Sequence, residues 1–65
     1  MADRAPGPFL LLDAVALDAN GVEVSRWEGW RVEGVAPPDT VAWGGRRFAL
    51  VWWQGAEVEY MEEGA

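Results

Sequence analysis

Asp13 and Glu28 are the two residues in this chain best placed to do chemistry together. If the chain reverses at Asn20-Gly21, the two carboxylates face each other across a hairpin. Like charges that close push one pKa up, as catalytic acid–base pairs do. The competing reading is a bend. Glu28-Gly29 has the composition of a β-bulge, and Trp27 and Trp30 break strict alternation on either side of it. A bulge would rotate one carboxylate out to water, and this is the reading the sequence favours. Beyond the pair the catalytic inventory is thin. The chain has no histidine, cysteine or lysine. Ser25 and Thr40 have no visible activating base. "WGGRR" has two glycines but neither the spacing nor the following helix of a phosphate loop. The expectation is a non-enzymatic chain with no metal and no cofactor, able to serve catalysis only by lending residues to another subunit.

Three binding chemistries remain. Trp30, Arg31, Trp43, Arg46 and Arg47, with Trp27 beside them, have the ingredients of a stacking platform for single-stranded nucleic acid. The plainer alternative buries Trp30 and lays Arg46 over Trp43 as a cross-strand cation–π pair. Glu57, Glu59, Glu62 and Glu63 could imitate a row of phosphates, although such runs usually serve as a solvated strand face. Leu10, Leu12, Ala14 and Trp27 fall together on what reads as the outer face of the first hairpin, and Val51 and Trp53 also read as outward. Exposed apolar patches of that extent mark interfaces, where tryptophan is a common anchor. Leu10, Leu12, Trp27, Val51 and Trp53 are therefore the expected contact residues.

The elements that must position these groups are strands. Turn signals recur at short, regular spacing, which points to an all-β domain. A two-residue turn at Asn20-Gly21 pairs Leu17 with Val24, Val15 with Arg26, Asp13 with Glu28, Leu11 with Trp30 and Phe9 with Val32. The alternative for residues 9–20 is a helix stopped at Gly21, but its apolar residues would coat every side without a 3.6-residue period. Gly44-Gly45 makes a second two-residue turn, with Trp43 opposite Arg46 and Val41 opposite Phe48. In "ALVWWQGAEVEY", a three-residue loop of Trp53-Gln54-Gly55 sorts the faces best. It puts Gly55 in the left-handed position, Trp52 in the core opposite Ala56, Leu50 opposite Val58, and Phe48 opposite Tyr60.

The expected architecture is a five-stranded antiparallel meander, with strands near 9–18, 22–33, 41–43, 46–53 and 56–61. It would curl into a small SH3-like barrel or form an open sheet that pairs with another copy. Residues 1–8 read as a loose arm and 62–65 as a fraying acidic end. A 65-residue domain buries only about 60% of the surface its unfolded chain exposes. With no disulfide or zinc site available, the five Trp, two Phe and one Tyr must carry the core, or the core must be shared with a partner. The formal net charge of −6 argues against a generic nucleic-acid or anionic-membrane surface. "FLLL", ended by Asp13, is too short for a signal segment, so a soluble cytoplasmic protein is expected. The absence of lysine and isoleucine beside abundant Arg, Ala, Gly and Trp is the usage of a GC-rich, bacterial genome. Protein contact, most simply as a homodimer, is the leading functional expectation. A nucleic-acid-binding barrel and an acidic decoy of nucleic acid follow it.

Overall fold

The structure is a computed structural model that describes residues 7–64. Residues 1–6 of the expected arm lie outside the described residues, as does residue 65. Five strands form one sheet: β1 (Phe9–Leu17), β2 (Glu23–Glu33), β3 (Thr40–Trp43), β4 (Arg46–Gln54) and β5 (Glu57–Glu62). The order across the sheet is β2-β1-β5-β4-β3. The sheet curls through 237° into a half-barrel. The all-β, five-stranded, strongly curled expectation is met. The neighbour relations differ from a simple antiparallel meander, because β1 and β5 pair in parallel and sit at the centre. β2 and β3, expected to be partners, are instead the two free edges. In cyclic terms the chain follows a meander around a barrel, closed between its first and last strands and open between β2 and β3.

The connection from β2 to β3 suits the curl, since a flat sheet would leave it almost fully extended. Only residues 34–39 join strands that lie at opposite edges of the sheet. Six residues reach about 20 Å at most, while a flat sheet would hold those edges four interstrand spacings apart, near 19 Å. The connection is also tied down. Tyr60 donates its hydroxyl hydrogen to the Pro38 carbonyl at 2.7 Å, and the Leu50 N–H donates to the Asp39 carbonyl at 2.8 Å.

Two hairpin turns differ from expectation, and each difference has a local cause. The first turn is a three-residue loop, Ala19-Asn20-Gly21. The Asp18 N–H donates to the Val22 carbonyl, and the Gly21 N–H to the Asp18 carbonyl. The Asp18 carboxylate also accepts the N–H groups of Asn20 and Val22 at 2.8 and 2.9 Å. Asp is favoured at this first position of a type I turn, and its carboxylate wins over a two-residue Asn-Gly turn. An irregularity at Val24 then restores the expected Val15–Arg26 pairing. In the last hairpin the turn is Gly55-Ala56, closed by Gln54 opposite Glu57. Gly55 has φ +61° and Ala56 does not have positive φ, the pattern of a type II′ turn. The glycine is left-handed as expected, but it opens the turn rather than ending the loop. The middle hairpin has the expected two-residue turn at Gly44-Gly45, with positive φ at both glycines as in type I′, and the expected pairs.

The largest correction concerns which face of β1 is the core. Leu12 pairs with Trp30 and Ala14 with Trp27, so Glu28 and Gly29 together oppose Asp13. The bulge expected at Glu28-Gly29 is present, and Gly29 takes φ +66° there. The extra residue puts Trp27 and Trp30 on the same side, and with them Leu10, Leu12 and Ala14. The face expected to lie outward is therefore the inner one. Leu12, at 1% exposure, is a core residue rather than a contact residue, and Leu10 and Trp27 pack against the core. The buried set is Leu12, Ala14, Ala16, Val32, Phe48, Val58 and Tyr60. Trp52 is the second correction. A bulge at Val51 and the shorter turn place it opposite Glu59, on the outside. Trp52 and Trp53 are each 41% exposed. Phe48, Leu50, Val58 and Tyr60 stay on the inner face, as expected. The chain's end, expected to fray from residue 62, holds Glu62 within β5, and Glu63 donates its N–H to the Arg47 carbonyl.

These placements fix a stability ranking. Phe48→Ala should cost about 3–5 kcal/mol, as large core truncations do, which is comparable with the whole stability of a domain this size. Trp52→Ala should cost under about 1 kcal/mol, and Gly29→Ala about 1 kcal/mol or more because a β-carbon strains its positive φ. Urea melts of the three variants check the order. A cooperative transition lost in Trp52→Ala and kept in Phe48→Ala would reverse the two faces.

Candidate interface at the open seam

The half-barrel leaves a seam between β2 and β3, and aromatic rings line it. The ring centroid of Trp27 lies 6.4 Å from that of Trp30 on the same strand and 6.1 Å, edge-on, from that of Trp43 across the seam. The chain of rings continues inward, from Trp30 to Tyr60 at 6.1 Å and from Trp43 to Phe48 at 6.4 Å. Tilted and edge-to-face pairs at these spacings are the favoured arrangements of aromatic rings. Trp27, Trp30, Val41, Ala42 and Trp43 enclose an apolar groove of about 200 Å³ that opens to solvent. β2 supplies two rings because of its bulge. β3 supplies the third from the last position before the Gly44-Gly45 turn.

At the bottom of this aromatic chain Tyr60 is completely buried. Burial, with a smaller contribution from Asp39, pushes its hydroxyl up to about 12. Its bond to Pro38 needs the proton, so the neutral form belongs to the folded state.

The electrostatics around the seam separate the binding chemistries. Every arginine among the described residues is ion-paired. Arg26 Nη2 lies 2.9 Å from Glu23, Arg31 Nε 2.7 Å from Glu33, Arg46 Nη2 2.7 Å from Glu62, and Arg47 Nη1 4.0 Å from Glu63. Arg46 grips Glu62 with two hydrogen bonds. They hold the Glu62 carboxyl below the usual carboxylate range and raise the Arg46 guanidinium. Arg46 lies over Phe48, 5.8 Å from its centroid, rather than over Trp43 as expected. Arg31 lies over Phe9 at 3.9 Å. Of the nucleic-acid set, then, Trp30 and Trp43 share the groove. Arg31, Arg46 and Arg47 each stand beside a glutamate that competes with any phosphate.

The remaining sequence-level candidates separate. Asp13 lies opposite the two-residue bulge of Glu28 and Gly29 rather than opposite a single glutamate, and its carboxylate accepts the Gly29 N–H at 3.2 Å. Glu62 and Glu63 are paired with arginines, which leaves Glu57 and Glu59 of the acidic run. Val51 is exposed at its bulge. Trp53, expected to point outward, instead pairs with Val58 and so lies on the inner side. It is exposed only because it sits at the end of β4, where its Nε1–H donates to the Gly55 carbonyl at 2.9 Å. Val41 and Ala42 are groove walls that the sequence reading passed over. Carrying the Glu28-Gly29 bulge through the register would have exposed the relation between Trp27 and Trp30, but not their meeting with Trp43. No metal-binding cluster of acids occurs among the described residues, and no helix there is long and apolar enough to cross a membrane. No protein-family model, curated protein or solved structure matches this chain.

Two measurements follow from this geometry. Tyr60 is the chain's single tyrosine, so tyrosinate absorbance reads it alone. Its folded pKa lies above the unfolded value near 10. The stabilisation is therefore complete below about pH 10 and is lost as pH rises toward 12. Absorbance should rise together with unfolding, and a free tyrosine titrating near 10 in a folded chain would contradict the burial. Separately, oligo-dT at low salt should neither quench the tryptophans nor bind with a steep salt dependence. Micromolar binding lost in Arg46→Ala/Arg47→Ala would establish the nucleic-acid reading instead.

Proposed function

We propose that this chain is a small, non-enzymatic protein-contact domain that works as a homodimer, with the open seam as its contact. The observation that carries the reading is the unfinished barrel. Among the described residues, two strand edges stay unpaired on either side of a groove lined by three tryptophans. Unpaired edges are templates for another strand, and an apolar aromatic groove beside them supplies anchoring pockets. The molecule is also extended, at 50 × 23 × 16 Å with a radius of gyration of 13.6 Å. A compact chain of 65 residues would have a radius near 11 Å. Among the described residues, Phe9, Leu11, Val35, Trp43, Val51, Trp52 and Trp53 are exposed.

The pattern of β2 favours a second copy as the partner. Because the Gly34 N–H bonds the Pro8 carbonyl, alternation directs the peptide groups of Trp30 and Val32 to β1 and those of Arg31 and Glu33 to the free edge. Charges alternate along the strand as Glu23, Arg26, Glu28, Arg31 and Glu33. An antiparallel copy that sets Arg31 opposite Glu28 of the partner subunit also sets Glu33 opposite Arg26 of the partner subunit. Opposite charges directly across strands stabilise the pair. The bulge then sits at the two-fold axis, with a short ladder on each side. The lack of histidine, cysteine and lysine supports the non-enzymatic part of the reading.

Sedimentation equilibrium tests it. The wild type should be a dimer at micromolar concentration. Arg31→Glu should weaken association at least about fivefold by placing like charges opposite, and Glu28→Arg/Arg31→Glu should restore it. A wild type that stays monomeric at about 100 μM, well above the dissociation constants usual for specific complexes, would remove the homodimer. So would a dimer indifferent to the charge swap.

A further inference from the structure

The convex side of the sheet, away from the seam, carries a second built feature. Four residues lie directly opposite one another in a single row across four strands: Arg26 on β2, Val15 on β1, Glu59 on β5 and Trp52 on β4. The neighbouring row sets Asp13 opposite Glu57. Cross-strand partners share a face, so these six side chains surround one shallow groove, of about 250 Å³. Val15 and the exposed indole of Trp52 supply its apolar part. Strands lie about 4.8 Å apart, which leaves roughly 10 Å between Trp52 and Val15 with Glu59 between them.

The charges here are unlike those elsewhere on the molecule. At the seam and at the chain's end, arginines answer the glutamates. In this groove Asp13, Glu57 and Glu59 line one wall of the sheet face. The one arginine among the described lining residues, Arg26, gives its two hydrogen bonds to Glu23 and also feels the charge of Asp13. Three carboxylates against one arginine leave the groove with a net negative charge, so it is complementary to a cation. A divalent metal does not fit, since no cluster of acids among the described residues is arranged to hold one. A flat, delocalised cation does fit, stacked on the Trp52 ring with carboxylates at its edge.

We propose that this groove docks an arginine-bearing segment of a basic protein partner, with Trp52 as the stacking surface and Glu57 and Glu59 as the carboxylates that grip the guanidinium. The surface shares only Arg26 with the proposed dimer contact; Trp52, Glu57 and Glu59 lie away from it, and a monomeric chain would present them equally well.

The probe is a hexa-arginine peptide, titrated calorimetrically at low salt into the full chain. Trp52→Ala and Glu57→Gln/Glu59→Gln should each weaken binding at least about fivefold. Asp39→Asn/Glu63→Gln, which removes the same charge elsewhere, should change it less than about twofold. Hexa-lysine should bind more weakly than hexa-arginine, because an ammonium stacks less well on indole. Tyrosinate absorbance at pH 10 confirms that each variant remains folded. The proposal is overturned if hexa-arginine shows no binding at 1 mM, a concentration that would reveal even weak contacts. It is equally overturned if the control variant loses as much affinity as the groove variants, since attraction to the net charge alone would then explain binding.

Discussion

The architecture depends on one extra residue in β2. With strict alternation, Trp27 and Trp30 would stand on opposite faces and only one could enter the core. The bulge at Glu28-Gly29, spanned by the Asp13 carboxylate, turns both inward. From that follow the choice of Leu10, Leu12 and Ala14 as the inner face of β1, the run of rings from Tyr60 to Trp43, and the lining of the seam. A bulge also sharpens the local twist of a sheet, which helps five strands curl enough for residues 34–39 to bridge the two edges.

Much of this was legible in the sequence, and the illegible part has a common cause. The all-β class and the strand positions followed from turn residues and alternation, which are local signals. So did the Gly44-Gly45 hairpin. The bulge itself was visible as Glu28-Gly29 between two tryptophans spaced three apart. Its effect on the face of β1 was not, because the flat register already gave a plausible apolar face of Phe9, Leu11, Val15 and Leu17. A chain rich in leucine, valine and alanine on both sides of a strand cannot choose its core face from hydrophobicity alone. Trp52 was misplaced for a similar reason. A bulge at Val51, with no glycine or asparagine to announce it, shifts the register just where the turn begins. The parallel pairing of β1 with β5 has no sequence signature at all, since it depends on how far the sheet curls.

Two features of the surface belong together. A sheet that stops before closing keeps its hydrophobic interior partly open, and a net charge of −6 keeps such a molecule from collapsing onto its neighbours at random. The ion pairs divide that charge unevenly. Arginines neutralise the glutamates beside the seam and along β2, where strand edges need a defined pattern of opposite charges. The surplus of negative charge is left on the convex face. Exposed ion pairs of this kind contribute little to stability. Their weight falls on which surfaces can meet.

The central place of β5 has a consequence for how the molecule comes into being. β1 is made first and β5 last, yet each is the other's neighbour in the middle of the sheet. A nascent chain that has not reached Glu57 can form only two detached hairpins, β1–β2 and β3–β4, each with one apolar face uncovered. Two-stranded hairpins are marginal in water. Joining the ends closes a loop spanning most of the domain, so its entropic cost falls late and in a single step. Translation therefore holds the tryptophan-lined surface open until the last strand emerges. During that interval the chain is most exposed to meeting another copy of itself.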